Sequence, residues 1–213
     1  MTLQEFSTEF DILYDNISSN QAPGLTEYEK SVFLTQAQDA LVLDLYKGTT
    51  GDSFETTEEV TRYLSTLVNS KTYSDLESEV CTDVNTLKET NVTLDDTVMF
   101  VTLQIAKDPN GWCLVVPTKQ DVLYKTLQNP FAGPTNKRII SITENNKTIL
   151  YSKNDVSDLK IKYLKYPNPI ILEALENGLT IKGKSERTDC ELPACVHQMI
   201  LMRAVQMAKA VWA

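Results

Sequence analysis

The chain has 213 residues, of which 42% are hydrophobic and 23% charged, and its formal net charge at pH 7 is −9. Its length suits one large domain or a domain with an insertion, and the even spread of aliphatic residues excludes a disordered protein. The acidic balance excludes a protein that grips the phosphate backbone of DNA through its overall charge, since that mode of binding needs an excess of Lys and Arg.

Three helices are predicted in the first third of the chain, each from apolar residues at three- and four-residue steps. Residues 20–24 end the first helix. Thr26 and Glu29 have the spacing of a capping box and predict the start of the second, which Gly48 ends. The third begins near Glu58. The apolar positions are Leu3, Phe6, Phe10, Leu13 and Ile17 in the first helix, Phe33, Ala37, Ala40, Leu41 and Leu45 in the second, and Val60, Tyr63, Leu64 and Leu67 in the third.

A first β-hairpin is predicted in the middle of the chain. Residues 98–103 are rich in β-forming side chains and predict a strand. Residues 108–111, Asp-Pro-Asn-Gly, are a strong turn signal, and residues 112–116 form the returning strand. The three segments together predict the hairpin.

A second hairpin is predicted with a defined register. Residues 138–144 and 147–151 flank the pair Asn145-Asn146. A two-residue turn at this pair places Ile142 opposite Ile149 and Ile140 opposite Tyr151, so that the larger side chains share one face.

The last part of the chain predicts short strands and then a closing helix. Residues 159–163 alternate apolar residues with lysines, which is typical of a strand with one solvated face. Asn177-Gly178 predicts a turn, and residues 179–182 predict a last short strand. Pro193 suits the first turn of the closing helix. The apolar positions of this helix are Val196, Ile200, Ala204, Met207 and Val211.

This order of elements predicts an α+β fold. We expect a helical bundle built from the N-terminal helices and the C-terminal helix, with a β-rich insertion that is hairpin- or barrel-like. The predicted parts are an N-terminal helical part at residues 1–70, the β-rich insertion at 71–188, and a C-terminal helix at 189–213 that packs on the N-terminal helices.

No set of catalytic or metal-binding residues is visible. His197 is the single histidine, and acid–base mechanisms most often use histidine. Cys190 and Cys195 lie near it, but their spacing fits no common zinc site. The sequence also lacks the phosphate-loop, dinucleotide, nucleophile-elbow and zinc-protease motifs. We therefore expect no enzyme activity, cofactor or metal, and we interpret His197 as a surface or interface residue.

The sequence leaves a hydrolase hypothesis open. Adjacent acidic residues, Asp95 and Asp96, precede a predicted strand and are typical of a solvated loop. A hydrolase that uses two carboxylates would need both groups in one cleft together with a distant acid.

The lack of a predicted targeting signal and the small number of cysteines indicate an intracellular protein. Residues 1–5 lack the basic start and apolar run of a signal peptide, and no stretch is long and apolar enough to span a membrane. Four cysteines in a chain of this length do not predict a disulfide framework. We expect Cys81, Cys113, Cys190 and Cys195 to be reduced and mostly buried.

Three groups of segments carry a resemblance to a known family. They are residues 28–38 (YEKSVFLTQAQ), residues 115–121 with 129–134 (VVPTKQD and NPFAGP), and residues 163–167 with 191–193 (YLKYP and ELP). The chain resembles the head-to-tail connector, or ring, proteins of tailed bacteriophages, especially the crAss-like phages that infect Bacteroides-type hosts.

The resemblance implies a structural subunit of the virion. It implies a closed ring of twelve identical subunits that docks below the portal protein, contacts the next tail or ring protein, joins the capsid to the tail and extends the DNA channel. Genomic DNA would pass through without sequence-specific binding, and no membrane is involved. The subunit would be made in the cytoplasm of the bacterial host and located at the head–tail junction.

Interface candidates follow from residue type and position. Asn129, Pro130 and Phe131 lie in an otherwise polar loop, where the aromatic ring either fills a neighbour's pocket or folds back on its own core. His197 and Trp212 are further candidates. The alternative to a ring subunit is a small acidic intracellular protein-binding module or DNA mimic, which would be a monomer or dimer bound to one host protein.

Overall fold

The computed structural model describes residues 1–15, 24–48, 58–82, 84, 86–144, 146–176 and 178–212. The chain forms two compact units. Unit 1 comprises residues 1–67 and 167–213, and unit 2 comprises residues 68–166. In chain order the elements are α1 (Leu3–Asp15), α2 (Glu27–Lys47), α3 (Glu58–Leu64), a 3-10 turn (Ser65–Leu67), β1 (Val68–Tyr73), β2 (Ser78–Val80), β3 (Lys88–Thr93), β4 (Val98–Asp108), β5 (Gly111–Pro117), a second 3-10 turn (Gln120–Val122), α4 (Leu123–Gln128), β6 (Arg138–Glu144), β7 (Lys147–Ser152), β8 (Asp158–Lys165) and α5 (Ala194–Trp212).

Local signals set both ends of α2. The side chain of Thr26 accepts a hydrogen bond from the Glu29 backbone N–H, and the Glu29 carboxylate accepts one from the Thr26 N–H at 2.8 Å, which confirms the predicted capping box. Gly48 ends the helix in the left-handed conformation and donates its N–H to the Asp44 carbonyl. Glycine adopts this conformation without the steric cost that a Cβ brings, so the predicted stop is also confirmed.

The face that α2 buries differs from the predicted one. Of the predicted positions Ala37 and Leu41 are buried, whereas Phe33, Ala40 and Leu45 are partly exposed. The helix contacts α1, α3 and α5, so its buried surface is wider than one apolar stripe. The buried residues are Lys30, Ser31, Leu34, Thr35, Ala37, Gln38, Leu41 and Val42.

A polar row on α2 holds an extended segment of unit 1. Ser31, Thr35 and Gln38 follow one another at helical spacing and are buried. The Ser31 hydroxyl accepts a hydrogen bond from the Leu172 N–H at 3.0 Å, and the Thr35 hydroxyl accepts one from the Ile170 N–H at 3.1 Å. The Gln38 amide donates to the Asn168 carbonyl at 2.7 Å. These bonds satisfy the backbone of a buried segment outside any helix or strand.

A buried lysine links α2 to α1. The Lys30 side chain is 4% exposed, and its Nζ lies 2.7 Å from Asp11 Oδ2 and 2.8 Å from Glu27 Oε1. Burial opposes its charge, but the hydrogen bonds to Asp11 and Glu27 outweigh burial and raise the pKa of Lys30. Both carboxylates keep contact with solvent, so the group is not a fully buried ion pair.

Replacement of this lysine by methionine is expected to have a small effect. Lys30→Met keeps most of the side-chain volume, and the two carboxylates left behind stay hydrated. We expect the free energy of unfolding to fall by about 1 kcal/mol or less, because ion pairs whose carboxylates keep contact with solvent contribute little net stability. Urea unfolding beside the exposed control Lys47→Met checks this. A much larger loss specific to Lys30→Met would contradict it.

The closing helix α5 packs on α1 and α2 within unit 1. Val196, Ile200 and Ala204 are buried as predicted. Met207 is only partly buried and Val211 is exposed, so the predicted apolar stripe is wrong at the C-terminal end of the helix.

The structure buries the single histidine. Its Nδ1 lies 2.9 Å from the Met1 amino nitrogen, its Nε2 lies 2.8 Å from the Leu192 carbonyl oxygen, and its ring centroid is 5.2 Å from that of Phe6. This position corrects the interpretation of His197 as a surface residue, because packing between α1 and α5 excludes solvent from the ring. Its expected role at an interface stays a prediction.

Stability is expected to depend on pH through this histidine. Burial lowers the pKa of His197, the Leu192 carbonyl opposes the shift, and the Met1 ammonium adds to it. The unfolded chain therefore takes up the proton first as the pH falls below the ordinary value of 6.5. Stability is full above that pH and falls as the pH drops from 6.5 towards the lowered pKa of the folded state.

Urea unfolding between pH 7.5 and pH 5.5 measures this dependence. The chain has no other histidine. We expect His197→Gln, which keeps a hydrogen-bonding group near Leu192, to flatten the fall in stability across this window. An unchanged slope in the variant would contradict the assignment.

Unit 2 is an eight-stranded curled sheet with the strand order β1-β8-β4-β5-β6-β7-β3-β2. All neighbouring strands are antiparallel except β5 and β6, which are parallel. One face encloses a core to which β3 to β8 all contribute. Its buried members are Val92, Leu94, Ala106, Cys113, Val115, Ile139, Leu150, Val156, Leu159, Ile161 and Tyr163.

Both predicted hairpins are confirmed. In the first, β4 pairs with β5 around Pro109 and Asn110. In the second, β6 pairs with β7 in the predicted register, with Ile142 opposite Ile149 and Ile140 opposite Tyr151. Asn145 lies outside the described residues.

Other sequence predictions need correction or extension. The predicted strand at residues 179–182 is not a strand, since Ile181 forms only an isolated bridge with Lys184. Three strands, β1 to β3, and the short helix α4 were not predicted. Ile17 and Asn177 lie outside the described residues. The α+β class itself is confirmed, and no helix in the described parts of the chain is long and apolar enough to cross a membrane.

Candidate assembly surfaces

The groups that could support chemistry are engaged locally. Asp95 forms an ion pair with Lys71, and Asp96 accepts a hydrogen bond from the Asn146 side chain at 3.0 Å. Within the described ranges no three residues among His, Cys, Asp and Glu are placed to hold a metal ion. The two carboxylates thus link the turn between β3 and β4 to β1 and to the β6–β7 turn.

The cysteine thiols have different environments. Cys81 and Cys113 are buried, Cys190 is partly buried and Cys195 is exposed, and all four are free. Burial raises the pKa of the Cys190 thiol to about 11, which suppresses the reactive thiolate at neutral pH. The expectation of mostly buried cysteines is therefore wrong for Cys195.

The connection from β5 to β6 positions the predicted interface loop. Parallel strands need a long crossover, and here it contains α4. Leu123 and Leu127 of α4 pack on Ile140 and Ile142 of β6. Residues 129–134 follow α4 and form what we call the Phe131 loop. The crossover therefore fixes this loop against the sheet of unit 2.

Hydrogen bonds hold the Phe131 loop in one shape. The Asn129 side-chain oxygen accepts from the Phe131 N–H at 2.8 Å and the Ala132 N–H at 3.2 Å. The Arg138 guanidinium donates to the Phe131 carbonyl at 2.5 Å and to the Gly133 carbonyl at 2.7 Å. The Phe131 side chain is nonetheless 89% exposed. The ring is therefore not folded back on its own core, and the loop presents it to solvent.

A second apolar surface covers the outer side of β4 and β5. Trp112 and Leu114 are each 54% exposed, while Cys113 and Val115, which alternate with them along β5, enter the core. Leu114 pairs with Ile105 of β4, and Ile105 pairs in turn with Lys160 of β8, so the three residues lie side by side across the strands. We define the β4–β5 face as Leu103, Ile105, Trp112 and Leu114, which Lys160 and Lys162 border.

The β4–β5 face and the Phe131 loop adjoin each other. Arg138 lies beside Leu114 in the parallel pairing of β5 and β6, so both side chains project from the same side of the sheet. The guanidinium of Arg138 then reaches the Phe131 loop. Unit 2 thus carries two neighbouring groups of exposed apolar side chains, linked by Arg138, and exposed apolar groups of this kind mark interaction sites in soluble proteins.

Unit 1 carries an apolar pocket beside the start of α2. Its volume is about 250 Å³, and none of the residues that line it is fully buried. We call it the α2 pocket. Trp212 directly follows one of its lining residues, and its side chain lies outside the described part of the chain. The lining residues are Leu25, Tyr28, Glu29, Val32, Phe33 and Val211.

Charge is distributed unevenly along the chain. Residues 1–67 contain twelve acidic and three basic residues, whereas the rest contains seventeen of each, so the whole net charge of −9 belongs to the first segment. Residues 122–143, which include the Phe131 loop, contain Lys125, Lys137 and Arg138 and no acidic residue. Most of the residues that line the α2 pocket therefore come from an acidic segment, whereas the Phe131 loop lies in a basic one.

Comparison with known proteins identifies the family. The description "phage tail ring protein 3/4" belongs to the family that matches residues 1–213. The chain belongs to this family. Ring protein 3 of Bacteroides phage crAss001 is 39% identical over 221 residues, which cover 98% of this chain and 95% of that protein. Ring protein 4/5 of the same phage is 33% identical over 225 residues, which cover 100% and 94%.

Membership of the ring protein family confirms the resemblance that the sequence carries and supports a structural role in the phage particle. The Phe131 loop was predicted from the sequence, and its role at an interface stays a prediction, whereas the α2 pocket and the β4–β5 face were not predicted. A signal for the face was present, because residues 112–116, Trp-Cys-Leu-Val-Val, are apolar at every position. A strand apolar on both sides needs a second partner beyond its own core.

Proposed function

We propose that the chain is a non-enzymatic subunit of a phage head-to-tail connector ring, which docks below the portal protein, joins the capsid to the tail and extends the DNA channel. The ring contains twelve identical subunits and contacts the next tail or ring protein. The observation that carries the proposal is the exposure of Phe131 and of the neighbouring β4–β5 face on a chain of the ring protein family.

The charge distribution supports passage of DNA without binding. An acidic surface repels the phosphate backbone and gives no counterion release to hold it. Residues 1–67, with their net charge of −9, are the segment suited to face the channel. The subunit is made in the bacterial host cytoplasm and resides at the head–tail junction of the virion.

We also propose that unit 2 is a β-rich insertion in a helical bundle formed by α1, α2 and α5. Contacts of α5 with both N-terminal helices support this division. The interface then draws on the Phe131 loop, with Asn129 and Pro130, while Trp212 and His197 lie on the closing helix. In this arrangement the helical unit supplies the frame, and the insertion supplies contact surfaces.

Mass photometry of the purified protein, alone and with the portal protein of the same phage, tests the proposal. We expect a discrete species with the mass of twelve subunits, or a portal complex with that number bound. Negative-stain images should show a ring with a central opening. A protein that remains monomeric under both conditions would overturn the proposed function.

A further inference from the structure

We propose that the Phe131 loop of one copy inserts its phenyl ring into the α2 pocket of the next copy. The inference rests on the proposed ring function and assigns one contact by which neighbouring subunits join. It commits to a second copy of this chain as the occupant of the pocket.

The loop is preorganised for insertion. Asn129 and Arg138 fix the backbone on both sides of Phe131 through hydrogen bonds of 2.5 to 3.2 Å. A rigid loop loses little conformational freedom on binding, which keeps the entropic cost of association low. Among the described apolar residues that are both large and exposed, Phe131 has the greatest exposed fraction.

The α2 pocket is large enough for the phenyl group of Phe131 and is lined mainly by apolar side chains. A cavity of about 150 Å³ lined by apolar side chains accepts benzene, so the 250 Å³ of the α2 pocket accommodates a phenyl group. Tyr28 and Phe33 offer aromatic surfaces, and aromatic pairs gain from tilted or offset contacts. Both are only partly buried in the isolated chain, so the incoming ring would complete their burial.

Charge complementarity selects a second copy as the partner. Lys125, Lys137 and Arg138 accompany the Phe131 loop, whereas all lining residues of the pocket except Val211 belong to residues 1–67, which have an excess of nine acidic residues. Glu29 lines the pocket itself. Hydrogen bonds from the backbone and side chain of Thr26 lower its pKa, so the carboxylate is ionised at neutral pH. Opposite charges around an apolar anchor steer the two surfaces together.

The location of the two surfaces determines the kind of assembly. The loop belongs to unit 2 and the pocket to unit 1, so a contact between copies joins two different patches. Such a heterologous contact leaves a free loop on one subunit and a free pocket on the other. Repetition of this contact forms a ring where the rotation between subunits closes, as the proposed function requires, and an open filament where it does not.

Two substitutions separate the halves of the contact. Phe131→Ala removes the phenyl group from the loop, and Val32→Trp fills the α2 pocket. We expect each to raise the subunit concentration for half-maximal assembly, alone or on the portal protein, by roughly 30-fold or more, as for an interface hot spot. Tyr166→Ala, which truncates an aromatic side chain that is half exposed elsewhere, is the control and should assemble normally.

Mixing the two variants gives the sharper test. The Phe131→Ala chain keeps an open pocket, and the Val32→Trp chain keeps its aromatic loop. At a subunit concentration where neither variant associates alone, an equimolar mixture should therefore form heterodimers in mass photometry but no rings. Unchanged circular dichroism and thermal unfolding of the variants would show that the substitutions act on association.

The possible failures are distinguishable. If the unsubstituted protein does not assemble alone or on the portal, the proposed function fails and this inference fails with it. If the unsubstituted protein forms rings and both variants form them equally well, only this inference is overturned. Normal rings of Phe131→Ala that no longer bind the portal or a tail protein would instead assign the loop to that partner and overturn the contact between copies.

Discussion

Removal of one hydroxyl group from α2 is expected to destabilise unit 1. Thr35→Val preserves the shape of the side chain but leaves the Ile170 N–H without the acceptor that it has at 3.1 Å. Ile170 and Thr35 are both buried, so water does not replace the lost bond. We expect the free energy of unfolding to fall by about 2 kcal/mol, within the range for an unsatisfied buried polar group.

The neighbouring serine extends this prediction. Ser31→Ala leaves the Leu172 N–H without its acceptor at 3.0 Å and is expected to cost about 2 kcal/mol for the same reason. The double variant should lose more than either single variant but less than the sum of the two, because the Thr35 hydroxyl also donates to the Ser31 carbonyl at 2.8 Å and both residues hold the same extended segment.

Urea unfolding measures these losses, and hydrogen exchange locates them. The control Thr8→Val makes the same chemical change at an exposed position of α1 and should leave stability nearly unchanged. Exchange should accelerate at Ile170 in the Thr35 variant and at Leu172 in the Ser31 variant. Equal stability of Thr35→Val and Thr8→Val would show that the bond to the extended segment contributes nothing.

The polar row also shows where sequence reasoning stops. Thr26 and Gly48 act on backbone groups within a few residues, so the ends of α2 could be read directly from the sequence. The partners of Ser31, Thr35 and Gln38 are backbone atoms of residues 168–172, far along the chain. A pattern of apolar residues assigns such polar positions to solvent, and for this reason the predicted buried face was displaced.

In the sheet, too, strands that pair with sequence neighbours were predicted, whereas a strand that pairs with a distant segment was not. The β4–β5 and β6–β7 hairpins form between sequence neighbours, and their turns and alternation predicted them. The strand β1, Val-Asn-Ser-Lys-Thr-Tyr, is polar and pairs with the distant β8. An edge strand has one unpaired side and little apolar alternation, so its sequence resembles that of a loop.

The sequence predicts the irregular conformation of the Phe131 loop but not what the phenyl group contacts. Residues 129–134 contain two prolines and a glycine, which predict an irregular segment. The sequence left open whether the ring meets its own core or a neighbour, because the answer depends on the parallel crossover that fixes α4 and on Arg138 of β6. The exposure of Phe131 shows that its phenyl group does not meet its own core, and assembly experiments test whether it meets a neighbouring subunit.

Substitution of Gly133 is expected to disrupt both this loop and ring assembly. A Cβ atom at this position would lie 2.6 Å from the Asn129 carbonyl oxygen, 3.0 Å from that of Thr126 and 3.1 Å from that of Leu127. All three are backbone atoms at the end of α4, and no side-chain rotation relieves the contact. The glycine is required by this close approach, as φ is not positive here.

We expect Gly133→Ala to lower the free energy of unfolding by about 2 kcal/mol, which is typical of an overpacked position. The loop must move away from α4, and the Gly133 carbonyl then withdraws from Arg138, which it meets at 2.7 Å. Phe131 is no longer presented in one orientation, so the concentration for half-maximal assembly should rise at least tenfold. Urea unfolding and mass photometry provide the two measurements.

A matched control and a second loop substitution separate the effect of loop conformation on assembly from the effect on stability. Gly24→Ala adds the same methyl group where nothing lies within 4 Å and should leave stability nearly unchanged. Arg138→Lys retains the positive charge but cannot donate in a fork to two carbonyls, so it should weaken assembly more than it weakens folding. Full assembly of both Gly133→Ala and Arg138→Lys would mean that the orientation of Phe131 is unimportant. Weakened assembly of both, with Gly24→Ala unaffected, would establish that the fixed loop conformation contributes to subunit contact.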